Sequence, residues 1–418
     1  MTRIRTPYLG LALALCSAAP SAAAQSPAPA QAGGTRDSAG IRIVDNARPA
    51  WAPGREWRLS EKPILTIGGG TGADDRLGRI AGVTRLSDGR VVVADQSTLQ
   101  LRFYDPAGRH LVSVGGKGQV PGELREFHTI ARLAGDSIAV GSGDLASILA
   151  PSGSFVRKVR FGPFAPGTLQ TPFVSALGRF DDGSAVVADF PQGRRGPAGA
   201  ARWVDSASLF LVDRAGAVVR PLGTAPIVVF VAGEKYPSPM DFGPQAAYAS
   251  SGRAFYWGFP DQYAIRVYDA DWKLRQIVRR AWTPRPLTGG EIDTYVDGWM
   301  QMWSKKAGAE REAERREMRE KAYPESLPAY SAILATPAGE LWVREPDLTG
   351  APGCWCLAGL PTVPSKWSVF DAGGRWLGDV AMPPRFVPLE IGADYVLGRS
   401  RDADDVLRAV MYRLDRPR

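Results

Sequence analysis

From Ile64 onward the chain is a succession of short apolar runs, each bounded by Gly, Asp or Pro. Asp88-Gly89 opens the run Val91-Val92-Val93-Ala94-Asp95, and Asp182-Gly183 opens Ala185-Val186-Val187-Ala188-Asp189. Looser versions follow Ser251-Gly252, Ala338-Gly339 and Gly392. A second pattern closes an apolar run with Asp and a turn: Phe103-Tyr104-Asp105, Leu211-Val212-Asp213, Val267-Tyr268-Asp269 and Val369-Phe370-Asp371. The runs are rich in β-branched and aromatic residues and too short for helices. They predict strands joined by tight turns, with Asp105, Asp213, Asp269 and Asp371 as turn-formers that accept from backbone N–H groups.

The runs repeat. Residues 64–94 align without gaps onto 111–141, so that Ile64-Leu65-Thr66-Ile67-Gly68-Gly69 overlies Leu111-Val112-Ser113-Val114-Gly115-Gly116. Val83-Thr84-Arg85-Leu86 likewise overlies Ile130-Ala131-Arg132-Leu133. Equivalent strand ends at residues 95, 142, 189, 258, 345 and 399 define six units. Repeats of this length with several strands each fit a propeller of four-stranded blades. The last unit, 386–414, holds three strands, whereas 64–69 matches a fourth strand without a unit of its own. The expected fold is therefore all-β, a six-bladed β-propeller closed by its N-terminal strand, with no open sheet edge at the seam.

Two regions depart from this rhythm. Residues 289–322 read as a helical insertion between blades four and five: Thr288-Gly289-Gly290-Glu291 is a capping box, and Ile292, Tyr295, Val296, Trp299 and Trp303 form one apolar face. The expectation is that the apolar first half packs on the propeller and the charged second half projects into solvent. At the N-terminus, Arg3 and Arg5 precede an apolar run and Ala22-Ala23-Ala24, the pattern of a cleaved export signal over residues 1–24. Leu15 before Cys16 does not fit a lipid-attachment site. Residues 25–40 read as a flexible linker and 41–418 as the propeller. The expected protein is exported, to the periplasm or cell exterior, without a membrane span.

Composition narrows the chemistry. With 2 His and 3 Cys in 418 residues, a disulfide framework is excluded and an all-Cys/His zinc site is hard to assemble. A net charge of +8 would suggest nucleic acid in a cytosolic protein, but export and interleaved acids argue against that. The loops at 68–72 and 115–118 lack the G-x-x-x-x-G-K-[ST] pattern, so they are expected to be turns that need positive φ, not phosphate cradles. Cys354 and Cys356 could form a small loop disulfide, remain free thiols or bind a soft metal.

The segment LSDGRVVVADQSTLQLRFYDPAGRHLVSVGGKGQVPGEL, residues 86–124, resembles the repeat of six-bladed propellers of the NHL type. That fold hosts many unrelated activities. In lactonase-like propellers, acidic and amide groups around the channel hold a divalent cation. That likeness makes Asp95, Asp189 and Glu345, which end the same strand of three blades, candidate oxygen ligands for a cation such as Ca²⁺. The alternative is that they bond turn N–H groups. His128 is a candidate acid–base near an innermost strand, with Arg79, Asp241, Tyr330 and Arg385 at matching positions of other blades. Trp355 is a candidate surface aromatic for a glycan. No catalytic constellation emerges and no cofactor is called for. The leading expectation is a monomeric binding scaffold for a protein, small-molecule or glycan ligand. The alternatives are a metal-dependent hydrolase or lyase, and a polysaccharide-binding module.

Overall fold

A computed structural model describes residues 33–70, 72, 75–116, 124, 127–162, 173–190, 196–233, 237–348 and 364–417. The predicted signal peptide with Cys16, and the loop carrying Cys354, Trp355 and Cys356, lie outside the described residues. The strands assemble as six sheets, and within each blade the four strands run antiparallel. Blade one is Ile80–Arg85, Val91–Asp95, Gln100–Tyr104 and His110–Gly115. Blade two begins at Thr129–Arg132, blade three at Phe173–Arg179, blade four at Ala247–Ser251, blade five at Ala332–Ala335 and blade six at Phe386–Ile391. Neighbouring blades meet through these first strands in ring order, with Ile138–Ser142 making the contact from blade two to blade three, and the last first strand returns to blade one. The second strands, such as Val91–Asp95 and Ala185–Phe190, have apolar residues on both faces and are buried along most of their length. Both faces of each are covered by neighbouring blades, which is why these runs are continuously apolar and do not alternate.

The ring closes as the sequence predicts. Leu65–Ile67 pairs antiparallel with the last strand, Leu407–Asp415, in the register Leu65↔Met411 and Ile67↔Ala409. Arg58–Leu59 extends the same pairing. Gly68 and Gly115 follow equivalent strands at φ +94° and +92°, and a Cβ on either would stand 2.9 Å from a leucine side chain, Leu77 or Leu124. Glycine is needed at both turns for backbone conformation and for space.

The segment before the seam does more than sequence suggests. Ile41–Asn46 adds in parallel to Leu274–Arg280, the outer strand of blade four. Gly34–Ser38, placed in the linker by its composition, is a strand paired to Ile41–Asn46. All its side chains are exposed. Backbone pairing and the Arg36–Asp45 ion pair hold it, which hydrophobic patterning does not register. The chain then crosses blade five, where the Ala50 and Trp51 amides donate to the Trp376 and Leu377 carbonyls. The N-terminal segment is thus a strap over the outer edges of blades four, five and six. Asn46 fastens it: its side-chain amide donates to the Arg279 and Gly374 carbonyls and accepts from the Trp376 amide. Trp57 is held between Trp51, Trp342 and the Arg416 guanidinium, with Arg416 4.1 Å from the ring centre.

The insertion is two helices, α1 (Gly289–Trp303) and α2 (Gly308–Glu320). The capping box at Thr288 forms as expected. The second half stays largely exposed, as expected, but α2 folds back on α1. Arg315 pairs with Asp297 and Arg319 with Asp293, both at 2.5 Å, and Met318 joins Val296 and Met300 in a small core. The single apolar residue that anchors α2 is hard to see among its charges. Tyr295 docks the hairpin on the propeller, edge-on to Phe242 at 4.8 Å.

Candidate functional site

The second strands end, and the first strands begin, at one end of the channel. The sequence-predicted ring lies here, and two of its three acids, Asp95 and Glu345, are already engaged. Asp95 is fully buried and pairs with Arg102 at 3.3 Å. It accepts from the amides of Gly78, Arg79 and Ser97 and from the Ser97 hydroxyl. Glu345 lies 3.2 Å from Arg280 and 3.0 Å from Lys366. Asp189 is buried, which pushes its carboxyl above the ordinary range. Among the described residues no three acidic, His or Cys side chains stand together as a metal site would require. The other candidates disperse. His128 Nδ1 faces the Gln96 side-chain amide at 3.0 Å. Arg79 contributes its backbone to Asp95. Tyr330 is a core residue whose hydroxyl donates to the Ala264 carbonyl. Arg385 pairs with Asp405. Asp241 supports the insertion, 3.7 Å from Lys321. Burial, and then the like charges of Arg401 and Arg79, hold the Arg399 guanidinium below its usual range.

The opposite end holds a cavity of about 730 Å³. It is walled by the last residues of all six innermost strands and by the turns that follow them. Blade six supplies Glu390, which accepts from the Thr84 hydroxyl at 2.5 Å, the Arg85 amide at 3.0 Å and the Tyr395 hydroxyl at 2.6 Å. Burial and this carboxylate push the Tyr395 hydroxyl well above its ordinary range. The Arg85 guanidinium lies 4.9 Å over the Tyr395 ring. Blade two supplies Arg132 and Asp136, 3.4 Å apart. Asp136 also accepts from the Ser87 amide and hydroxyl, joining blades one and two. These bonds, with the Arg132 charge, outweigh burial and lower its carboxyl pKa. Blade three supplies Arg179, whose guanidinium lies 5.1 Å over the Phe161 ring. Burial, and then the like charge of Arg157, hold Arg179 down at about 10.

Sequence reasoning missed this end because it followed the acids. The signal was present in the repeat: Val83-Thr84-Arg85, Ile130-Ala131-Arg132 and Leu177-Gly178-Arg179 place arginine at one position in three consecutive blades. An ionisable residue ending an apolar innermost strand is the pattern to look for. Neither His lines the cavity. Its charged groups can orient and neutralise a bound molecule.

No protein-family model matches the chain, and no curated protein matches it. Solved structures of similar fold include one from Bacteroides fragilis described as an exported protein. It has 11% identity and a TM-score of 0.48, covering 90% of this chain and all of that one. A DUF4221-family member from Bacteroides vulgatus has 11% identity and a TM-score of 0.49, covering 87% of this chain and 99% of that one. A gluconolactonase from Xanthomonas campestris has 13% identity and a TM-score of 0.40, with coverages of 88% and 99%. The class defined by the strand pairing is the six-bladed β-propeller. At these identities and TM-scores the likenesses add nothing about what the protein binds or does.

Proposed function

We propose that this is an exported, monomeric propeller of NHL-like repeat that binds a small polar molecule in its channel cavity. The carrying observation is the cavity itself. Its 730 Å³ falls within the 300–1,000 Å³ typical of small-molecule sites, and it sets a few charged groups in a wall drawn from every blade. The export signal at residues 1–24 and the repeat at 86–124 support the remaining parts of the reading. A hydrolase of lactonase-like chemistry would need free acids in the channel. The commitments of Asp95 to Arg102 and of Glu345 to Lys366 favour binding instead. No resident cofactor is part of the reading.

The test is thermal unfolding of residues 25–418 against a library of small sugars, acids and amines. A ligand that binds only the folded state adds about 2.7 kcal/mol at 100 times its Kd. The expected result is stabilisation by one chemical class, lost in Glu390→Ala. Chelation followed by Ca²⁺ is expected to leave the midpoint unchanged. A rise with Ca²⁺ that disappears in Asp95→Ala would establish the metal-dependent alternative.

A further inference from the structure

We propose that the cavity takes a small organic cation, an alkyl amine or diamine, with one ammonium group against Glu390 and a second positive end drawn toward Asp181 on the opposite side of the ring. This rests on the ligand-binding reading above and specifies the ligand class. The charges placed in the wall do not balance. Arg132 and Asp136 neutralise each other at 3.4 Å. The Arg179 guanidinium is turned away from the cavity, over the Phe161 ring between blades two and three. The Arg85 guanidinium lies over the Tyr395 ring and 3.8 Å from Asp394. Glu390 and Asp181 remain, and both line the cavity.

Glu390 is fixed by the Thr84 hydroxyl, the Arg85 amide and the Tyr395 hydroxyl, and Thr84 and Tyr395 line the cavity beside it. All three donors are neutral. They orient the carboxylate and leave its charge uncancelled, and among the described residues no basic side chain stands within ion-pair distance of it. An ionised carboxylate offers about four lone-pair sites, so it keeps capacity for a further donor. An ammonium group fills that place with a charge-assisted hydrogen bond, which an alcohol does not make. Asp181 is held through its backbone, whose amide donates to the Gly252 carbonyl and whose carbonyl accepts from the Ala134 amide. Its side chain is exposed at the cavity and, among the described residues, carries no ion pair. Blades three and six face each other across a six-membered ring, so the two acids belong to opposite walls. Leu177, Leu334 and Leu389 line the same cavity and suit a methylene chain. An anionic ligand would meet two uncancelled negative charges and be repelled.

The experiment uses residues 25–418 and matched pairs of amine and alcohol: 1,3-diaminopropane and 1,3-propanediol, putrescine and 1,4-butanediol, 1,6-diaminohexane and 1,6-hexanediol. 1-Butylamine serves as a singly charged probe and gluconate as an anionic control. Thermal unfolding and titration calorimetry are expected to show at least one diamine binding about tenfold tighter than its diol, the lower end of what a hydrogen bond to a charged group contributes. Glu390→Gln, which keeps the size of the side chain, removes that preference. Asp181→Asn, at an exposed position, removes the advantage of the diamine over 1-butylamine. Glu310→Gln, on α2 and outside the cavity, leaves both unchanged. Equal binding of amine and alcohol, or amine binding undiminished in Glu390→Gln, overturns the inference while the binding reading stands. If Glu390→Gln fails to fold, Asp181→Asn decides, and an undiminished diamine advantage overturns the inference. Tighter binding of gluconate than of any amine, or displacement of the diamine by Ca²⁺, overturns the organic-cation assignment. If no amine, alcohol or acid binds, both readings fall.

Discussion

At Asp95 one carboxylate closes a turn and neutralises a buried guanidinium together. Removing it strands Arg102, which is 4% exposed, without its counter-ion. Asp95→Ala is therefore expected to lose about 3–5 kcal/mol in urea unfolding, the range for breaking one side of a buried pair. Asp95→Asn, which keeps some of the turn bonds, should lose less. At Asp241 burial dominates. Burial raises its carboxyl pKa, while Lys321 and the Tyr295 hydroxyl pull it back only in part. A raised acid favours the folded state most when protonated, so its contribution is present below the unfolded value near 3.8 and declines as pH rises through the raised one. Asp241→Asn is expected to raise the midpoint at pH 7, with the gain shrinking toward pH 4. A constant gain at both values would count against this account. Turn residues were the most legible part of the sequence. Asp105 and Asp213 each accept from the amides two and four positions on, as the Asp-turn pattern predicts. What was not legible is which end of the channel is free. Asp95 and Arg179 are both ionisable residues at strand ends, and only the fold shows that one is ion-paired to Arg102 and the other lies over the Phe161 ring.

Among the elements, the helical hairpin is the one that can come away alone. It shares few contacts with the propeller beyond Tyr295, Phe242, Tyr323 and the Asp241–Lys321 pair. Tyr295→Ala is expected to cost about 3 kcal/mol of docking and to make the connection at 304–307 a preferred trypsin site at Lys305 and Lys306, with the remainder of the chain still resistant. Loss of resistance throughout would mean the hairpin is integral to the ring. The strand Leu65–Ile67 behaves differently, because Leu65 lies in the blade-six core with Ala409 and Met411. A charge there, Leu65→Asp, is expected to abolish a sharp unfolding transition at 25 °C, read by near-ultraviolet circular dichroism, since an unpaired carboxylate would have to be buried at the closing seam. The sequence revealed this strand because it repeats Leu111-Val112-Ser113-Val114. It concealed the strand Gly34–Ser38 and the fold-back of α2. Both depend on partners distant in the chain and not on their own apolar pattern.

For the whole molecule, six repeats were readable because every blade reuses one alternation of strand and turn. The cavity was not, because it is formed only when six strand ends meet. The strap adds a dependence on chain order. The residues that cross blades four to six are made before any blade, yet the Gly68 carbonyl waits for the Arg408 guanidinium, 340 positions later. Until the final strand is made, the strap has no blade six to close, and blade six lacks its outer edge. Cleavage at either terminus exposes the same gap. Loss of 33–67 and loss of 407–418 should therefore give proteins equally prone to aggregation and proteolysis. The seam thus makes the two ends of the chain interdependent: removal of either leaves the same unpaired edge on blade six, 340 positions from its partner.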